Sequence, residues 1–194
     1  MQAEIFKDKK IILASGSPRR QQFLRDLGLD FEIRLKEIEE VYPPNLKAAE
    51  ITDYLAVLKA SAFADELKDD ETLVTSDTIV WHNGHALGKP AGYDDAFKML
   101  RELSDSTHEV FTSVCLTKID FQLVFNDATK VTFSHLTDEA IAFYLETCKP
   151  FDKAGSYGIQ DWLGLTAISR IEGSYTNVVG LPTEKFYKNL ISFV

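Results

Sequence analysis

Apolar and polar positions along this chain switch repeatedly between a period of two and a helical period, and the switches mark out the elements. Lys10-Ile11-Ile12-Leu13 is a short apolar run that predicts a first strand. A turn, Ala14-Ser15-Gly16-Ser17, then leads into an amphipathic stretch with Phe23, Leu24 and Leu27 on one face. Ser17 is a good N-cap type, Pro18 suits the first helical position, and Gly28 stops the helix near Leu27. Phe31 to Leu35 predicts a second strand. Ala48 to about Glu66 predicts a long helix with Ile51, Tyr54, Leu55, Leu58 and Ala62 as its apolar stripe. Leu73 to Trp81 is the strongest strand signal, and it ends at His82-Asn83-Gly84-His85, a two-residue type I′ hairpin signature. Leu87-Gly88-Lys89-Pro90 closes the return strand, and Asp94 to Leu103 is helical in pattern.

Strands follow near His108 to Thr117, Phe121 to Phe125 and Lys130 to His135. Thr137 caps a helix to about Thr147. A loop of small and polar residues, Asp152 to Gln160, precedes a last strand near Thr166 to Ile171 and a polar turn, Glu172 to Asn177. Pro182 to Phe193 closes the chain as a helix. Hairpins and crossovers together imply a mixed α/β fold. No repeat, low-complexity tract or linker interrupts the pattern, so residues 1–194 read as a single domain.

Composition changes the picture little, but charge changes it usefully. The 194 residues are 45% apolar, 11% aromatic and 26% charged, as in ordinary globular domains. With 21 basic and 30 acidic residues the net charge of −9 argues against a general nucleic-acid binder. An anionic ligand should therefore be small and held in a local basic pocket. No apolar run approaches the roughly 20 residues of a membrane span, and Met1 to Lys7 lacks the apolar core of a leader. Cys115 and Cys148 have no metal-type spacing, which suggests a reducing, cytoplasmic setting.

The candidate chemistry starts at the opening turn. Arg19 and Arg20 sit in the first turn of a helix, where cations are mildly unfavourable unless an anion is present. Orphan N–H groups, the Ser15 and Ser17 hydroxyls and two guanidinium groups together fit a phosphate cradle. A solvated helix start with two surface arginines is the plainer alternative. Asp77 interrupts a β-branched run, and burying a carboxylate there needs a partner or a function. It is either solvated at a kink or edge, or it takes a proton or holds a metal.

Lys89 projects from a turn fixed by Gly88 and Pro90, in a segment that is not a P-loop. His82 and His85 flank the Asn-Gly turn and read as a solvated hairpin tip rather than a metal pair. Glu37, Glu39 and Glu40 read as a solvated loop. Brought to Asp77, they would supply oxygen ligands for Mg²⁺ or Mn²⁺. Arg19, Arg20, Lys59 and Lys89 can then neutralise a polyphosphate while Asp77 and one glutamate hold metal or water. This outlines a phosphoanhydride site.

These residues also carry a resemblance. Leu13-Ala14-Ser15-Gly16-Ser17-Pro18-Arg19-Arg20, Leu55-Ala56 with Lys59-Ala60, Ser76-Asp77-Thr78 and Leu87-Gly88-Lys89-Pro90 occur in order. His108 with Val110 and Thr112, Asp152 to Gln160, Glu172 to Tyr175 and Val179 to Pro182 complete the set. In order and spacing the chain resembles the Maf proteins, nucleotide pyrophosphatases related in fold to inosine triphosphate pyrophosphatase.

The resemblance implies an elongated mixed β-sheet flanked by helices, two lobes with a central cleft, and hydrolysis of a nucleoside triphosphate to monophosphate and pyrophosphate. It makes Asp77 the proton acceptor, while Asp77 with Glu40 or Glu39 remains the oxygen-ligand pair that the acidic segment offers a metal. It has Ser15, Arg20, Lys59 and Lys89 contact the phosphates or support catalysis, and Arg19, Thr78 and Gln160 help choose the base. Pro-Arg-Arg, Asp-Thr and Tyr-Gly-Ile-Gln resemble the dTTP/UTP branch. The 7-methyl-GTP branch has Trp after the proline and Gln after the aspartate. A glutamine amide both donates and accepts, which suits a pyrimidine edge.

Two departures stand out: Asp161-Trp162 where the family usually has glycine, and Leu103-Ser104-Asp105-Ser106 in place of a Ser-Gly turn. The first bears on base preference. The expected partners are thus a nucleoside triphosphate, a divalent cation, and a second copy in a homodimer common among relatives, with no nucleic acid or membrane. The rival reading is a nucleotide-binding regulator of cell division with little turnover, recognised by tight binding in calorimetry without hydrolysis in Mn²⁺.

Overall fold

The computed structural model describes Phe6 and residues 9–194. The leader expectation for Met1 to Lys7 therefore lies, except for Phe6, outside the described residues. No helix among the described residues is long and apolar enough to cross a membrane.

Chain order is β1 (Lys10–Leu13), α1 (Pro18–Asp26), β2 (Phe31–Ile33), α2 (Ala49–Ser61), β3 (Glu71–His82), β4 (His85–Leu87) and α3 (Tyr93–Leu103). Then follow β5 (Thr107–Thr117), β6 (Gln122–Phe133), α4 (Asp138–Cys148), a 3₁₀ turn (Ala154–Ser156), α5 (Trp162–Thr166), β7 (Ile168–Glu172), α6 (Tyr175–Val179) and α7 (Thr183–Phe193). The described strands form one mixed sheet in the order β2-β1-β3-β5-β6-β7, with β4 paired to β3. β1 runs parallel to β2 and β3, whereas β4 on β3 and β7 on β6 are antiparallel. The fold is mixed α/β with helices flanking the sheet.

The described chain divides into two compact units. The first holds residues up to Asp77, Thr112–Asp127 and Gly180–Val194. Here the sheet is covered on both faces, which explains the unbroken apolar run of β1. Ile11 and Leu13 join Val74, Val114 and Leu116 against Leu24 of α1 and Phe186, Leu190 and Phe193 of α7. Ile12 points the other way and packs with Leu73 and Cys115 against Ala56 and Ala60 of α2. The same alternation places Leu73, Thr75 and Asp77 on the α2 side of β3.

The second unit holds Thr78–Phe111 and Ala128–Val179. Its core is one cluster, with Val80 and Leu87 of the hairpin, Leu100 and Leu103 of α3, Val131 and Phe133 of β6, and Tyr144 and Leu145 of α4.

Several boundaries differ from the pattern reading. α2 stops at Ser61 rather than about Glu66, and Phe63 and Glu66 close successive turns instead. Tyr54, assigned to the buried stripe, is 40% exposed. β2 ends at Ile33, two residues short of Leu35. The two strands expected at 121–125 and 130–135 are one continuous β6, whose polar middle, Asn126-Asp127, stays in the ladder. The last strand begins at Ile168 because Trp162–Thr166 is helical, and a further short helix, Tyr175–Val179, takes the second half of the polar turn. Ser17 occupies the N-cap of α1 with extended backbone, but its side chain makes no cap hydrogen bond. The Thr137 hydroxyl does cap α4, accepting from the Ala140 N–H at 3.2 Å.

Candidate active site

In the first unit, five of the expected site residues converge. Asp77 is 6% exposed, so it is neither a kink nor a solvated edge position. Its Oδ1 accepts from the Lys59 Nζ at 2.6 Å. The same ammonium pairs with Glu40 Oε1 at 2.9 Å. Glu37, Glu39 and Glu40 are all exposed, and Glu40 reaches the site through this ion pair.

The helix that delivers Lys59 is fastened to the strand that delivers Asp77. The Thr75 hydroxyl, two residues earlier on the same face of β3, donates to the Ala56 carbonyl at 2.7 Å. Alanines at 56 and 60 let the helix lie close to the sheet at this point. Nearer its N-terminus, the helix is held by Thr52, whose hydroxyl lies 2.6 Å from the Ser113 hydroxyl on β5. Ser113 in turn donates to Asp53 at 2.6 Å.

Arg20 approaches from α1. Its Nε donates to the Gly180 carbonyl at 2.8 Å and one terminal nitrogen donates to the Ser76 carbonyl at 2.9 Å. The Ser15 hydroxyl accepts from that same nitrogen at 3.5 Å and from the Ser17 N–H at 3.3 Å. Burial pulls the guanidinium below its ordinary value, with Arg19 adding to this and Asp77 and Glu40 opposing it. It remains a cation, because arginine does not deprotonate in proteins. Two cations and two carboxylates thus meet at the C-terminal end of β1 and the centre of β3. Open α/β sheets place ligands outside the carboxyl ends of their parallel strands.

The donor set bears on the metal expectation. Among the described residues no group of three or more His, Cys, Asp or Glu side chains converges to form a cage. Asp77 and Glu40 are nevertheless hard oxygen donors that touch a common cation. Mg²⁺ is commonly held by one or two carboxylates and completed by substrate phosphates and water. The pair fits that kind of site.

Arg19 also lies in the first unit, on α1 beside Arg20, and the second unit carries Thr78, Lys89 and Gln160. Thr78 continues β3 and is half-buried. Lys89 is exposed on the turn after β4, above the buried Pro90. That turn is tied to the Asp152–Gln160 loop, because the Gly155 N–H donates to the Gly88 carbonyl at 3.1 Å. Gly155 has φ +65°, and a Cβ there would lie 2.7 Å from the Val80 side chain, so only glycine fits without displacement. Tyr157, 5% exposed, points into the core, where its hydroxyl is 2.7 Å from His108 Nε2. Burial pushes the His108 imidazole down to about 3, with His82 adding to the effect, so it stays neutral. Gln160 is exposed at the end of the loop.

His82 corrects the hairpin reading. It is 6% exposed, with its ring nitrogen 3.0 Å from the Asn83 amide, while His85 faces Glu102 at 3.3 Å. The two histidines face each other in the hairpin register, and their side chains make separate contacts, with Asn83 and with Glu102. Asn83 and Gly84 have φ of 46° and 83°, as a type I′ turn requires.

What the pattern missed is mostly main chain. The Ser76 and Gly180 carbonyls that hold Arg20 carry no side-chain signature. The Thr75 hydroxyl, inside the β-branched run of β3, was not singled out by the pattern either.

A fold of this class, with acid and base groups gathered beside a carboxyl strand end, marks a nucleotide-type site. Residues 10–193 match the model for the Maf-like protein family, and the chain belongs to that family. It is 62% identical over 195 residues to a dTTP/UTP pyrophosphatase of Flavobacterium johnsoniae, covering 100% of both chains. It is 63% identical over 187 residues to a dTTP/UTP pyrophosphatase of Flavobacterium psychrophilum, covering 96% of each. Among solved structures, a dITP/XTP pyrophosphatase from Mycobacterium abscessus aligns with a TM-score of 0.48 at 14% identity, over 95% of this chain and 100% of that one.

Proposed function

We propose that this chain is a nucleoside triphosphate pyrophosphatase that converts dTTP and UTP to the monophosphate and pyrophosphate. The observation that carries the reading is the buried Asp77 carboxylate held by Lys59 at 2.6 Å, with Arg20 docked on the next peptide of the same strand. Water adds to the α-phosphorus, the bond to the bridging oxygen of pyrophosphate breaks, and Asp77 takes the water's proton. Lys59 fixes the carboxylate through Oδ1. Arg20, Lys59 and Lys89 offset the charge that builds on the phosphate oxygens. Ser15 contributes its hydroxyl to the phosphates.

Asp77 and Glu40 would hold Mg²⁺ or Mn²⁺, which supplies Lewis-acid neutralisation of phosphate charge when bound. Gln160 reads the base edge, helped by Arg19 and Thr78. The reading places the enzyme in the cytoplasm, where these nucleotides are made and used, and a homodimer is the assembly it carries. A nucleotide panel read by pyrophosphate release tests it. Turnover should favour dTTP and UTP over CTP and purines, and should stop in chelator and return with Mg²⁺ or Mn²⁺. Binding of nucleotide without pyrophosphate release from any member of the panel would overturn the reading.

A further inference from the structure

Gln160 does not hang from a loose loop. It is the third residue of a four-residue turn, Gly158-Ile159-Gln160-Asp161, closed by the Asp161 N–H donating to the Gly158 carbonyl at 3.0 Å. Ile159, the second residue, is 5% exposed and anchors the turn to the core, while Gln160 faces out. Both ends of the turn meet a single atom on α4. The Gly158 N–H donates to the Tyr144 hydroxyl at 3.0 Å, and that hydroxyl donates to Asp161 Oδ2, also at 3.0 Å.

Tyr144 is fully buried, and burial together with the Asp161 carboxylate pushes its phenol well above the ordinary value. The proton therefore stays on the hydroxyl, and the direction of both hydrogen bonds is fixed. Lys153 Nζ stands 3.7 Å from the same Asp161 oxygen and 2.8 Å from Asp152, adding a cation to the clamp. Gly158 leaves room for the arrangement: a Cβ there would lie 2.5 Å from Asp161 Oδ2.

We propose that Tyr144 and Asp161 are positioning residues for base discrimination. They preset the turn so that the Gln160 amide meets the base in one orientation. The inference rests on the reading of Gln160 as the base contact given above. An amide offers a donor and an acceptor side by side, so its orientation decides whether a uracil edge or a cytosine edge is matched. A clamp that holds the turn before substrate arrives favours the matched base without an ordering penalty at binding. Neither side chain touches the reacting phosphates, so the effect falls on selectivity and KM.

The test compares kcat/KM for UTP and CTP in four variants of the full chain, each checked for a cooperative melt. Tyr144→Phe keeps the core ring and removes only the hydroxyl. Asp161→Ala removes the acceptor, whereas Asp161→Asn keeps an amide oxygen that can still accept from Tyr144. Tyr144→Phe and Asp161→Ala should each lower the UTP-over-CTP ratio by about tenfold or more, mostly through KM for UTP, and Asp161→Asn should restore most of it. Gln160→Ala should collapse the ratio on its own.

A preserved ratio in Tyr144→Phe and Asp161→Ala, with a collapsed ratio in Gln160→Ala, overturns the clamp and leaves the base reading standing. A preserved ratio in Gln160→Ala overturns the base reading and the clamp with it. If Asp161→Ala fails to fold, the comparison of Tyr144→Phe with Asp161→Asn decides the matter by the same criterion.

Discussion

Lys59 lies between two carboxylates, Asp77 at 2.6 Å and Glu40 at 2.9 Å, and its loss would affect them unequally. The Asp77 side chain is 9% exposed and that of Glu40 is 42% exposed, so only Asp77 lacks water as a substitute partner. Lys59→Met should therefore destabilise the protein by about 2 kcal/mol or more, because it strands a buried charge. Thermal melting checks this, and a stability equal to wild type would contradict it.

Asp105 makes a second case. It has φ +54° and its carboxylate is 2.7 Å from His135 Nδ1, so it occupies the left-handed position that glycine takes more easily. Asp105→Gly should leave melting within about 0.5 kcal/mol of wild type, because eased backbone strain offsets the lost exposed contact. The identities at these positions were legible in the chain: Asp77 as a carboxylate in an apolar run, Asp105 as a replacement in a turn. Their partners were not, because a side chain's neighbour across the fold leaves no trace in local spacing.

The loop from Asp152 to Gln160 is built by contacts on three sides. Gly155 meets Val80 and Gly88, the Ser156 hydroxyl reaches the Met99 sulfur at 3.2 Å, and Tyr157 reaches His108. Gly155→Ala combines an unfavourable φ with a methyl group driven against Val80. A loss of at least about 2 kcal/mol should result, measured by denaturant unfolding.

The element pattern anticipated β1, the β3–β4 hairpin and α7 closely, because each carries an unambiguous signal of apolar run, Asn-Gly turn or amphipathic period. It failed where two signals competed. The polar Asn126-Asp127 pair looked like a turn, but within β6 Asn126 donates to both Asp53 carboxylate oxygens, and Asp127 pairs with Lys185. Tertiary partners kept the strand continuous. α2 likewise ends early because Phe63 turns back into the core, which periodicity alone did not reveal.

Two buried groups set the response of the whole molecule to acid. Glu71 is 1% exposed, and the Arg34 guanidinium, at 2.8 and 3.0 Å, holds its carboxyl down to about 2 from 4.5. A depressed carboxyl contributes stability that is present above pH 4.5 and is lost as pH falls toward 2. His108 is buried neutral, pushed down to about 3 from 6.5. The unfolded chain protonates this histidine first, so stability already begins to fall below pH 6.5. Melting temperature measured across pH should decline through these two overlapping windows, and Glu71→Gln should flatten only the part of the decline below pH 4.5.

At this level the α/β class and the approximate site were readable from the chain, since one polar signature follows the end of β1 and the other, Asp77, interrupts the apolar run of β3. Two lobes were expected from the family resemblance alone; the residue pattern gave no boundary between the units, because β3, β5 and β6 each contribute residues to both. The account as a whole stands on Asp77 as the group that takes the proton from water. Pyrophosphate release from UTP by wild type and by Asp77→Asn, at saturating nucleotide and Mg²⁺, measures that directly. A fall of about 10²-fold or more in kcat with cooperative melting retained is the predicted result. Equal rates in the two proteins would contradict it.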